Sequence, residues 1–141
     1  MKNGLDCEAQ ACDATLARLL RGGRAMRRDD DYLRDMLRAM EASDDWLHLV
    51  GYEEDQVAAD KSLFHAKLLC DEGFLEEVRP CSEYRMTNKG HDFVATTRDD
   101  KIWGKTKAAL SKLGGHSVTM LFQVAEGYAR AKLRDITGLD I

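Results

Sequence analysis

The stretch Val57 to Gly90, VAADKSLFHAKLLCDEGFLEEVRPCSEYRMTNKG, constrains this chain more than any other. Ala58, Ala59, Leu63, Phe64, Ala66, Leu68, Leu69 and Cys70 recur at helical spacings, with Lys61, His65, Lys67 and Asp71 between them. Gly73 ends that helix, because a residue without a β-carbon readily takes the left-handed conformation that closes many helices. Phe74, Val78, Tyr84 and Met86 then alternate with charged residues, the period of a half-buried strand pair, and Pro80, Cys81 and Ser82 stand where the pair must turn. Thr87 is placed to cap the next helix through its hydroxyl.

Helix, ribbon and helix in that order form the core of a winged helix-turn-helix. The expected fold class is therefore mainly α with a small β-ribbon, a winged helix-turn-helix followed by C-terminal helices. Upstream, Leu33, Met36, Leu37 and Met40 mark one face of a first core helix over Asp29 to Ala42, with Arg34 and Arg38 on the other side. Asp29 to Asp31 suit the positive end of its dipole. Trp46, Leu47, Leu49 and Val50 can form a short strand flanking the ribbon. Glu53 to Gln56 reads as an acidic helical turn, and the sequence leaves open whether it is separate from the long helix.

Downstream, Phe93, Val94 and Ala95 form the apolar part of a short helix. Asp99 starts another, in which Ile102, Trp103, Thr106, Ala109, Leu110 and Leu113 recur at three- and four-residue intervals before Gly114 and Gly115. Ser117 can cap a last helix that is apolar on more than one side. Such a helix needs two neighbours, and a second subunit is one solution. A homodimer through Val118, Leu121, Phe122, Ala125 and Tyr128 is the resulting expectation.

Three regions follow: an extension over 1–25, a winged-helix core over 26–97, and C-terminal helices over 98–141 that pack on the core or dimerise. The extension has a helical middle broken by Gly22 and Gly23, and Met26-Arg27-Arg28-Asp29 looks like a second beginning. Either an upstream start codon or a docking helix explains it. At 141 residues the chain can bury a core without staples. No apolar run approaches the ~20 residues that span a bilayer, and a cytoplasmic location is the default expectation.

Catalytic chemistry is not indicated, and no enzyme activity, metal or cofactor is expected. Cys7, Cys12, Cys70 and Cys81 form no C-x-x-C pair, so free thiols fit better than a disulfide frame or a zinc site. His48, His65, His91 and His116 have no neighbour at metal-ligand spacing, and His65 and His91 read as hydrogen-bonded structural groups. Gly114-Gly115-His116-Ser117 lacks the frame of a phosphate loop. No nucleophile with an oriented base is present.

Charge is unevenly distributed. The chain carries a formal −4 with a pI near 5.6. From Asp29 to Asp60 eleven acids stand against two bases, a balance of −9, whereas from Arg98 to Arg134 eight bases stand against three acids, a balance of +5. The expected molecule is electrically asymmetric, either to steer a partner or because both helical faces lie against solvent.

Met26-Arg27-Arg28-Asp29, Gly51-Tyr52 before an acidic turn, His65-Ala66-Lys67-Leu68-Leu69 running to Gly73-Phe74-Leu75, Met86 to Phe93, and Arg98-Asp99-Asp100 with Trp103 and Lys107 together resemble the family called domain of unknown function 2513. The resemblance covers about Met26 to Leu133. It implies a small winged-helix-like protein of bacteria and their prophages and brings no activity with it. His65 to Leu75 is also similar to the H-L-x-x-L-x-x-x-G-L run of winged-helix repressors, with Ala66 where they carry a larger Leu.

Two function classes follow. In the first, regulatory DNA binding, Asp60, Lys61, Ser62, His65 and Lys67 enter a major groove. Arg79 and Arg85 on the wing meet phosphates, and Lys101, Lys105 and Lys107 extend that contact. In the second, the acidic surface excludes DNA and the fold serves a protein partner. Fold alone does not choose between them.

Overall fold

The protein's computed structural model describes residues 26–141, and the expectations for 1–25 lie outside the described residues. In chain order these residues form α1 (Asp30–Ala42), β1 (His48–Leu49), α2 (Gln56–Asp71), β2 (Leu75–Arg79), β3 (Glu83–Met86), α3 (Asn88–Thr97), α4 (Asp100–Ser111) and α5 (Val118–Thr137). The class is mainly α with one small antiparallel sheet, its strands ordered β1-β3-β2. The flanking strand beside the ribbon forms as expected: His48 lies opposite Tyr84 and Leu49 opposite Glu83.

The helix starts follow from local chemistry. Asp29, Asp55, Thr87, Asp99 and Ser117 each stand just before a helix, and each side chain accepts a backbone N–H of the first turn. Asp55 also answers the open question about the acidic turn. Glu53 and Glu54 precede the cap, and a single helix runs from Gln56 onward. At its far end Gly73 takes φ +77°, and the Phe74 N–H donates to the Leu69 carbonyl at 2.9 Å.

The ribbon departs from simple alternation. Glu77 pairs with Tyr84 and Arg79 with Glu83, so Val78 is the extra residue of a bulge. Leu75, not Val78, joins Phe74 in the interior, and Val78, on the opposite face of β2 from Leu75, is exposed.

One apolar cluster joins the 26–97 and 98–141 regions. Leu33 and Leu37 of α1, Leu69 of α2, Tyr84 of β3, Phe93 of α3, Leu110 of α4 and Leu121 of α5 belong to it. Phe93 sits at its centre, with ring centroids 4.9 Å from Phe74, 5.6 Å from Phe122 and 6.3 Å from Trp103. This packing also locates the residues expected at a dimer interface. Val118, Leu121 and Ala125 are buried in their own chain, Phe122 packs in the aromatic cluster, and Tyr128 is half-buried. The second neighbour that α5 needed is supplied by α3 and α4. Arg34 is corrected: it is buried, not on a solvated side.

Gly90 in the first turn of α3 is required by close approach. A β-carbon there would lie 2.3 Å from the Phe74 carbonyl oxygen, where α3 begins against β2. Gly90→Ala is expected to cost about 2–3 kcal/mol, since a backbone carbonyl must shift. Gly104→Ala, in open space on α4, is expected to add about 0.5–1 kcal/mol. Urea midpoints check both; equal stabilities for the two variants would contradict the packing described.

Candidate functional site

The residues proposed to read bases do not share one accessible face. His65 and Ser62 point inward and are 0% and 3% exposed, so neither is available at the surface. The buried imidazole joins two helices: its Nε2 accepts the Asp29 N–H at 3.0 Å, and its Nδ1–H donates to the Lys61 carbonyl at 2.7 Å. Tyr32 lies against the same ring, with centroids 4.5 Å apart. The Ser62 hydroxyl donates back to the Ala59 carbonyl at 3.0 Å.

The charged candidates are exposed or half-buried, and nearly all are paired. Asp60 accepts from Gln56 at 2.9 Å. Lys61 lies 3.8 Å from Asp29 and 4.6 Å from the centre of the Tyr32 ring. Lys67 pairs with Glu77 across to the ribbon, Arg85 pairs with Glu76, and Arg79 lies 3.4 Å from Glu83. Burial, the largest single influence, would lower the Lys67 pKa, but the hydrogen bond and charge of Glu77 together with Cys81 and Cys70 raise it. On α4, Lys107 pairs with Asp31 at 2.8 Å. Lys101 and Lys105 are exposed and form no ion pair among the described residues.

The acidic start of α1 is likewise occupied internally. Asp30 accepts from His116 Nε2 at 2.6 Å and from Arg28 Nε at 3.0 Å, which ties α1 to the turn before α5. Asp31 accepts from Trp103 Nε1 at 2.8 Å and from Lys107, which ties α1 to α4. Arg34 donates to the Thr97 carbonyl at 2.9 Å and to the Arg98 carbonyl at 3.2 Å, at the end of α3 where helix carbonyls lack partners. It also pairs with Asp100 at 2.8 Å, and Glu41 pairs with Arg98. Asp31–Lys107 and Glu41–Arg98 therefore pair acids of the acidic segment with bases of the basic one.

Several acids without an ion pair stand near one groove. Asp35, Asp44, Asp45, Glu53 and Glu54 enter no ion pair among the described residues. Asp35, Asp45 and Glu53 border a groove of about 600 Å³ between α1 and β1. Its apolar lining includes Met36 and Met40 of α1 with Leu47 and Leu49. Trp46 and Tyr52, 70% and 67% exposed, stand on the same connecting segments. Burial and then the Glu53 charge hold the Tyr32 hydroxyl above its ordinary pKa. His48 borders this groove, and burial holds its imidazole below the usual range. Periodicity could not reveal the groove, because it is formed by segments that the sequence separates.

Other chemistry finds little support here. Among the described residues no group of three or more His, Cys, Asp or Glu side chains is placed to hold a metal ion. Among the described residues neither Cys70 nor Cys81 is in a disulfide, and burial pushes the Cys70 thiol up to about 11. No described helix is long and apolar enough to cross a membrane.

A family model described as hypothetical protein (DUF2513) matches residues 27–117. The chain belongs to the DUF2513 family. The DUF2513 match holds the Asp29–His65 junction, the sheet, the groove and α4, and stops one residue before α5 begins. Searches of the curated proteins and of the solved structures each found no match.

The Asp31 carboxyl is held below its ordinary range, first by the Lys107 hydrogen bond and then by the Trp103 hydrogen bond. A depressed folded pKa contributes stability above the unfolded value of about 3.9, and that contribution is lost as pH falls through the folded pKa. Because the side chain is 55% exposed, screening limits the effect of Asp31→Asn at pH 7 to under about 1 kcal/mol. The difference between the two proteins is expected to shrink by about pH 3. Equal differences in urea midpoint at the two pH values would contradict the assignment.

Proposed function

We propose that the protein is a protein-interaction module, a winged-helix-like frame that serves a protein partner without reading duplex DNA. The charge on α2 and the ribbon carries this reading. Between Asp55 and Lys89 stand seven acids (Asp55, Asp60, Asp71, Glu72, Glu76, Glu77 and Glu83) and five bases (Lys61, Lys67, Arg79, Arg85 and Lys89), a balance of −2. Lys61, Lys67, Arg79 and Arg85 already face carboxylates. A phosphate would have to displace each of those carboxylates, and non-specific duplex affinity comes almost entirely from free cations that release counterions.

Regulatory DNA binding, in a bacterial or prophage setting, is the second reading. Lys101 and Lys105 favour it, as exposed α4 cations without a carboxylate partner. Two phosphate contacts would give a salt slope near −2, well short of the roughly six to ten contacts of a firm duplex binder.

A gel shift with random duplex at about 20 mM salt tests the choice, since electrostatic binding is strongest there. The expected result is no retained complex at micromolar protein. A saturable shift that weakens steeply with added salt would overturn the interaction reading.

A further inference from the structure

We infer that the groove between α1 and β1 binds an amphipathic helix of a partner protein, apolar along one face and carrying Lys or Arg on its flanks. This rests on the interaction reading above and gives it a location and a ligand chemistry.

The shape of the groove argues for a helix. Tyr32, Met36, Ala39, Met40 and Ser43 line one wall. They lie on one face of α1 at successive turns, spanning about 16 Å at 1.5 Å per residue. A partner helix of about three turns matches that length. The opposite wall is β1, only two residues long, so its free edge offers too few backbone groups for an added strand to gain much. Methionine side chains are unbranched and polarizable, which suits a wall that must adapt to an incoming apolar face. Docking of an amphipathic helix into an apolar groove is a recurrent recognition mode.

The charge of the groove argues for a basic partner. Asp35, Asp45 and Glu53 border it, and among the described residues no Lys or Arg lines it. The other acids of α1 and its cap are already engaged: Asp29 with Lys61, Asp30 with Arg28, Asp31 with Lys107 and Glu41 with Arg98. The fold thus spends its cations everywhere on α1 except along this groove. Like charges lining one cleft reinforce a common field, and that field draws in and orients a cationic partner. Exposed Trp46, Leu49 and Tyr52 beside the groove provide further apolar contact of the kind enriched at binding sites.

The test uses the full chain and a fluorescent synthetic peptide of leucine and lysine at helical spacing. Its leucine–glutamate counterpart and a labelled random duplex serve as the other two probes. Saturable anisotropy is expected for the leucine–lysine peptide alone, with amide shifts of the labelled protein concentrated over residues 32–53. The double variant Asp35→Asn with Glu53→Gln changes only exposed, unpaired carboxylates and should keep its thermal midpoint. It is expected to bind the peptide at least about tenfold more weakly, and Met36→Glu should weaken it further. Equal binding of both peptides, unchanged affinity in the double variant, or shifts centred on α2 and the ribbon would overturn the proposal. Concentration-dependent dimers whose shifts fall on residues 32–53 would give the groove to a second copy and overturn it as well. If neither the peptide nor the duplex binds, the groove assignment fails while the interaction reading stands. Duplex binding would remove both.

Discussion

The hydrogen bond from the Asp29 backbone N–H to the buried His65 imidazole is the junction on which the rest of the arrangement depends. It fixes where α1 begins relative to α2, and α1 then distributes three acidic side chains to three places. Asp29 caps its own helix, Asp30 reaches the turn before α5, and Asp31 reaches α4. Arg34, one turn on, reaches the end of α3. A helix start that would otherwise hold unsatisfied N–H groups and clustered like charge becomes the point where four other elements are registered.

Electrostatics of the surface follow from that registration. Asp31 of acid-rich α1 pairs with Lys107 of base-rich α4, so part of the opposed charge of the two segments is joined within the chain. Asp35 and Asp45, on α1 and its following loop, border the groove beside β1. Two features result: a helix-and-ribbon segment in which Lys61, Lys67, Arg79 and Arg85 already face carboxylates, and a groove whose Asp and Glu lining meets no Lys or Arg among the described residues.

Local signals were legible in the sequence where the chemistry is local. The caps at Thr87 and Ser117, the helix starts near Asp29 and Asp99, the stop at Gly73 and the turn at Pro80 to Ser82 need only neighbouring residues, and the fold class follows from their order. Features decided by distant packing were not legible. Ser62 and Arg34 are polar residues at positions that read as solvent-facing, and His65 reads both as a structural group and as a base contact; each finds a hydrogen-bond partner inside, and burial of a polar group is tolerated only then. Val78 fits the strand period counted from Phe74, but Leu75 points inward and alternation from it turns Val78 outward. The apolar residues of α5 signalled two neighbours correctly; that both belong to the same chain depends on how α3 and α4 fold back. The groove is the extreme case, since Asp35, Asp45 and Glu53 come together only in three dimensions.

The most direct test of the central junction is the tautomer of His65, read from long-range proton–nitrogen correlations of the labelled imidazole at neutral pH. The account predicts a proton on Nδ1, a bare Nε2, and an Asp29 amide protected from exchange. A proton on Nε2, or an Asp29 amide that exchanges as fast as an exposed loop, would contradict it.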